Sequence, residues 1–165
     1  MRDKRSLLAF LGALALALAG LLLAAPAQAA VSPTHSTAAH VMILPAAPHG
    51  AAAVSPKSAA AVSPTVSPAV STVHGAPGTP ITCAAGNLCA FAWDPTTSDW
   101  KLFYLYTCNR YSLSNWLGTG GYLDKQTGGV TSYFYGQSGN VLASFTPDSA
   151  QHSYDWDPVW SIRNC

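Results

Sequence analysis

The chain is poor in charge and has no glutamate: its seven acidic residues are all aspartates, and charged side chains make up only 9% of 165 residues. Residues 83–165 carry Lys101, Arg110, Lys125 and Arg163 against six aspartates, a net charge of −2, so the basic footprint that nucleic acids and anionic membranes require is missing. Zinc ligation also lacks its pieces, since there is no C-x-x-C pair and His152 is the only histidine after residue 80. A hydrolase is poorly served as well. There is no G-x-S-x-G elbow, and one histidine leaves few general bases near neutral pH. Asp148, Ser149 and His152 are crowded in sequence, whereas a triad depends on spatial geometry. We therefore expect neither an enzyme nor a nucleic-acid binder. Sustained helical periodicity is absent after Cys83, apart from a turn around residues 112–116, and aromatic residues are absent from 30–80.

The N-terminus does carry an address. Arg2, Lys4 and Arg5 precede a Leu/Ala run over 7–25, then Pro26 and Ala27-Gln28-Ala29, the pattern of a secretory signal (1–29) cleaved after Ala29. A retained anchor would call for a basic stop-transfer flank, which is lacking, so the mature protein is expected to be secreted, with no membrane partner after cleavage. Residues 30–80 are rich in Ala, Pro, Ser and Val. The V-S-P triplet recurs at Val31, Val54, Val62 and Val66 without a fixed period, so this stretch reads as a disordered linker or pro-segment and not as a folded repeat. His35, His40, His49 and His74 are scattered along it and suggest no specific site, and residues 41–44 form one short apolar patch.

All four cysteines, Cys83, Cys89, Cys108 and Cys165, lie in the second half, where export favours disulfides. Three connectivities are open; proximity favours Cys83 with Cys89 and so Cys108 with Cys165. Residues 81–165 then form one small domain, and sixteen of the seventeen aromatic residues fall within it. Residues 88–93 and 101–106 flank a turn-rich connector, and 131–135 and 141–145 flank a glycine-bearing one, so two hairpins are expected. In the second, Thr131, Tyr133 and Tyr135 fall on one face and Ser132 and Phe134 on the other, the period of a strand. A closing strand is expected over 159–164. The fold class expected is all-β, a disulfide-stapled Greek-key sandwich.

Several motifs stand in a recognisable order: C-A-A-G-N-L-C at 83–89, C-N-R-Y-S-L-S-N-W-L-G at 108–118, Q-T-G-G at 126–129, Y-F-Y-G at 133–136 and the terminal W-D-P-V-W-S-I-R-N-C. Together they resemble the exported actinobacterial peptidase-inhibitor family, whose members are similar to a small metalloproteinase inhibitor of βγ-crystallin-type fold. The resemblance covers 83–165 and none of the tail. It implies a two-disulfide domain that inhibits an extracellular peptidase through a rigid exposed loop, without a cofactor, as an expected monomer. Two loops are candidates: 94–99, bounded by Asp94 and Asp99, and the glycine-rich 118–129, with Gly120, Tyr122 and Asp124. βγ-Crystallin domains often bind Ca²⁺, and the corresponding place here is 124–129. Lys125 stands there where a hard cation wants oxygen, which argues against a metal. Asp155 and Asp157 flank Trp156 before Pro158 and are read as turn caps. The competing reading is a cell-wall or glycan-binding or antimicrobial module, with Trp93, Trp100, Trp116, Trp156 and Trp160 as stacking platforms. Three coplanar exposed tryptophans would favour sugar; a protruding disulfide-braced loop over buried tryptophans would favour inhibition.

Overall fold

In the computed structural model, which describes residues 40–49 and 61–165, every regular element is a strand. Along the chain these are β1 (His40–Ile43), β2 (Thr65–Ser67), β3 (Thr72–Gly75), β4 (Pro80–Cys83), β5 (Leu88–Asp94), β6 (Asp99–Leu105), β7 (Arg110–Ser114), β8 (Thr119–Asp124), β9 (Ser132–Tyr135), β10 (Val141–Phe145), β11 (Gln151–Asp155) and β12 (Ser161–Arg163). The first sheet has the order β11-β8-β5-β6-β3, the second β10-β9-β12-β7-β2, and β1 pairs with β4 as a ribbon. All pairings are antiparallel. β5, β6 and β8 lie side by side in the first sheet while β7 crosses to the second; β9, β10 and β12 lie side by side in the second while β11 crosses to the first. Each four-strand Greek key thus places its third strand in the other's sheet, and the fold class is the all-β stapled sandwich expected. The proposed signal over 1–29 lies outside the described residues.

The period of two explains why the first sheet needs cover on both sides. Leu88, Ala90 and Ala92 of β5 point inward with Phe103 and Leu105 of β6, against Tyr111, Leu113, Phe134 and Ile162 of the second sheet. The alternate residues Cys89 and Phe91, with Trp100, Leu102 and Leu123, point outward. Such a face is not left bare to water, and the ribbon covers it: Met42 and Leu44 are buried there beside Cys83. Each contributes about 1.5–3 kcal/mol of burial.

The expectation that residues 30–80 are an unstructured tail is therefore corrected for 40–49 and 61–80. In the stretch His40–Leu44, Met42 and Leu44 face the sheet while Val41 and Ile43 face water. β2 and β3 extend the edges of the two sheets beside β7 and β6, and Pro64 and Pro68, from two of the V-S-P triplets, flank β2, where an edge strand need not donate on its outer side. Two buried indoles depend on this arm for a hydrogen-bond partner, Trp100 Nε1 donating to the Pro45 carbonyl and Trp116 Nε1 to the Thr65 carbonyl, both at 2.9 Å.

Of the three connectivities the chain adopts Cys83–Cys89 and Cys108–Cys165. The first ties β4 to β5 under the ribbon. The second closes the C-terminus onto the start of β7, and there Asn164, fully buried, accepts from Asn109 N at 3.0 Å and donates to the Leu105 carbonyl at 3.0 Å. Paired cysteines of this kind are at home in an oxidising compartment.

Candidate functional site

Two buried aspartates, one at each end of the first sheet, organise the exposed loops. Asp94 ends β5 and is 1% exposed. Its Oδ1 accepts from Thr96 N at 2.9 Å and Thr96 Oγ1 at 2.6 Å; its Oδ2 accepts from Ser63 Oγ at 2.5 Å and contacts His74 Nε2 at 3.1 Å. Burial alone would raise its pKa, but the hydrogen bonds from Ser63, Thr96 and His74 outweigh it and hold the carboxyl at about 2. Lys101 Nζ donates to Ser63 Oγ at 2.9 Å, closing the cluster. Ser63 and His74 come from the arm, so the scattered histidines include one with a defined partner, and His40 is another, its Nδ1 lying 3.0 Å from the Ser149 carbonyl. The loop this cluster anchors, 95–98, is a tight hairpin turn, with Thr97 N donating to the Asp94 carbonyl and Ser98 at φ 57°. Asp99 begins β6 directly opposite Asp94 and is half-buried.

Asp124 ends β8 and is fully buried. Its Oδ1 accepts from Gln126 N and Gln126 Nε2, both at 3.1 Å, and its Oδ2 accepts from Ser132 Oγ at 3.2 Å; Gln126 Nε2 also donates to Ser132 Oγ at 2.9 Å. A ring of three side chains thus joins both feet of the loop 125–131. Burial raises the Asp124 pKa, helped by the nearby Asp148, against the lowering effect of these hydrogen bonds. Lys125 N donates to the Asn87 carbonyl at 2.9 Å and Gly86 N to the Lys125 carbonyl at 2.8 Å, a two-way bridge to the turn closed by Cys83–Cys89. The tip, residues 127–129, is exposed, and Gly129 takes φ +91°, a conformation side-chain-bearing residues rarely adopt.

The structure divides the second candidate loop. Gly120, Tyr122 and Asp124 are not on an exposed loop: all three are buried in β8. Gly120 is there because a Cβ would overlap the Phe91 carbonyl and the Trp156 indole. Tyr122 stacks on His152 with centroids 5.0 Å apart, and burial, with Asp148, Tyr154 and Asp124 nearby, pushes its hydroxyl up to about 12. Of 118–129, Gly118 and 125–129 lie outside the strand, and the loop continues to residue 131. The place matched to a calcium site does not fit a hard cation, because the Asp124 oxygens already face N–H and O–H donors. Asp155 and Asp157 act at the turn as read: Asp155 Oδ1 accepts from Asp157 N at 3.1 Å, and Asp157 Oδ1 accepts from Gly118 N at 2.7 Å.

The serine, histidine and aspartate near residue 150 are not assembled as a triad. His152 Nε2 lies 2.7 Å from Asp148 Oδ2, while Ser149 Oγ accepts from Lys125 Nζ at 3.2 Å. In the other cluster Ser63 and His74 share one oxygen of Asp94, so the carboxylate lies between them, whereas a triad places the imidazole between serine and acid. Trp100, Trp116 and Trp156 are buried, Trp93 is half-buried and only Trp160 is largely exposed, so the five tryptophans form no three-ring platform. The chain matches no family model, no curated protein and no solved structure.

Proposed function

We propose that the protein is a secreted peptidase inhibitor whose inhibitory loop is residues 125–131. The observation that carries this reading is the Asp124–Gln126–Ser132 ring, which fixes both feet of an exposed loop and leaves its tip free. A segment held in place before and after attack has little left to order on binding, and a cut loop keeps its new ends together for resealing. Val130 is the only large apolar side chain in the loop sequence Lys-Gln-Thr-Gly-Gly-Val-Thr and is the residue offered to a specificity pocket. Against a zinc peptidase a carbonyl of the tip would approach the enzyme's metal. The tight 95–98 turn is less suited, since a peptidase cleft takes extended chain.

The experiment is inhibition by the oxidised mature protein, from residue 30 onward, of a thermolysin-like zinc enzyme, a subtilisin-like serine enzyme and a papain-like cysteine enzyme. Stoichiometric inhibition of one class, weakened by Val130→Asp and lost on reduction, is expected. A folded protein that inhibits none of the three at micromolar concentration ends this reading. One observation favours the glycan-binding alternative: Trp160, 51% exposed, stands beside a concavity of about 490 Å³ with Gln137, Asn140 and Leu142. Retention on peptidoglycan or chitin that Trp160→Ala abolishes would transfer the assignment to that site.

A further inference from the structure

Strands β9, β12 and β7 carry two exposed arginines, Arg110 and Arg163, on one face. Pairing sets Arg163 directly opposite Arg110 on one side and Tyr133 on the other, with Ser161 between Tyr135 and Ser112 in the next row. Directly opposed residues share a face with Cβ atoms about 5 Å apart, so two cationic side chains leave the sheet from one rung. Like charges placed this way oppose folding, and among the described residues neither arginine is ion-paired to an aspartate. The ion pairs among the described residues are His74–Asp94 and His152–Asp148, at other ends of the molecule.

Arg110 is nevertheless held in one pose. Its Nε donates to Ser161 Oγ at 2.9 Å, and its guanidinium lies 4.1 Å from the centroid of Tyr135, which stacks in turn on Tyr133 at 5.9 Å. The terminal N–H groups are left for an external acceptor. Tyr135, Arg163 and Cys165 line two concavities, one of about 590 Å³ shared with Gly129, Val130 and Thr131 of the loop and one of about 260 Å³ that Arg110 also lines. Two opposed arginines that share one hollow, one of them with its fork preset, are suited to recognition of an anion.

The surroundings narrow the anion. Guanidinium groups are donors only, and their planar fork matches a carboxylate bidentately. The tyrosine faces are engaged with each other and with Arg110, which leaves little for sugar stacking. A long polyanion gains affinity by the number of charges it neutralises, and only two cations are offered on a domain of net charge −2. We propose that Arg110 and Arg163 form a carboxylate-recognition site for an acidic segment of a partner polypeptide, the carboxylate seated in the smaller concavity that both arginines line. This assignment does not depend on the inhibitor reading, and its test does not use inhibition.

The test is an NMR titration of the mature protein with the peptide Ac-Gly-Glu-Gly-Glu-Gly-NH2, its Gln counterpart and inorganic phosphate. Saturable shifts confined to Arg110, Arg163, Tyr133 and Tyr135 are expected with the Glu peptide and not the Gln peptide. Arg163→Thr should weaken binding by about tenfold, as loss of one charge-assisted contact implies. Lys101→Gln, in the Asp94 cluster, should leave it unchanged. Thermal melting of Arg163→Thr adds a readout that separates binding from architecture: relief of the like-charge rung predicts equal or higher thermal stability. No saturable shift with the Glu peptide, equal binding by Arg163→Thr, a marked fall in its melting temperature, or tighter binding of phosphate than of peptide would each overturn the proposal, the last in favour of a phosphate-bearing polymer.

Discussion

Asp94→Asn isolates the work of one buried carboxylate. In the folded protein the group takes up two donors on each oxygen, from Thr96 on one side and Ser63 and His74 on the other. Burial opposes its charge, but those hydrogen bonds prevail and place its pKa at about 2, below the ordinary value of 3.8. That difference corresponds to about 2 kcal/mol of stability. Because the folded value is the lower one, the contribution is complete above about pH 4 and is lost as pH falls through about 2. Asparagine keeps one acceptor and turns an N–H2 group toward existing donors, so the variant should lose about 2–3 kcal/mol at pH 7. Urea titrations followed by tryptophan fluorescence at pH 7, 4 and 2.5 measure this directly. The gap between wild type and variant should narrow with acid. A gap that does not change with pH, or no gap at pH 7, would refute the claim that an ionised Asp94 anchors the arm to the hairpin.

Asp124→Asn should behave in the opposite sense: burial raises the Asp124 pKa, so its contribution is best below the unfolded value and declines as pH rises through the folded one. The variant should therefore lose less than about 1 kcal/mol at pH 7 in the same urea assay. Leu44→Ala, which empties a buried site under the ribbon, should cost about 2–4 kcal/mol by chemical denaturation, and a chain begun at residue 81 should bind a hydrophobic dye through its uncovered Phe91, Trp100 and Leu102 face. Replacing Cys108 and Cys165 by alanine should lower stability by about 4 kcal/mol and replacing Cys83 and Cys89 by about 2, an order set by sequence separations of 57 and 6, measured as urea midpoints of the two double variants.

The parts of the fold that were legible in the sequence are those where alternation and turn chemistry agree. The hairpins β5–β6 and β9–β10 stand where expected, and Ser132 and Phe134 turn inward with Tyr133 and Tyr135 half-exposed. Glycine misled the reading of β8. Gly120 looks like loop chemistry in a sequence, yet it lies in a central strand because Phe91 and Trp156 of neighbouring strands crowd its Cα. β7 and β11 were overlooked, though Tyr111 and Leu113 alternate inward along β7 in plain view. The arm was hidden for another reason. Its composition, averaged over fifty residues, is that of a chain with nothing to bury, and only the apolar outer face of β5 and β6 gives Met42 and Leu44 somewhere to go. At the candidate site the sequence marked Asp94 and Asp124 but misread their role. They are buried anchors of loops, and the exposed part of the second loop begins just past Asp124.

The exchange of third strands between the two Greek keys bears on how such a chain could arise. β7 belongs by sequence to the first motif and by pairing to the second, and β11 the reverse. A single motif expressed alone would lack one strand of its sheet and carry another with no place to dock, unless a second copy supplied both. A lineage that began from one such motif would have passed through a two-chain association before fusion made the partner permanent. The present chain is thus divisible as text but not as an object: neither half completes a sheet unless another motif supplies the strand it lacks.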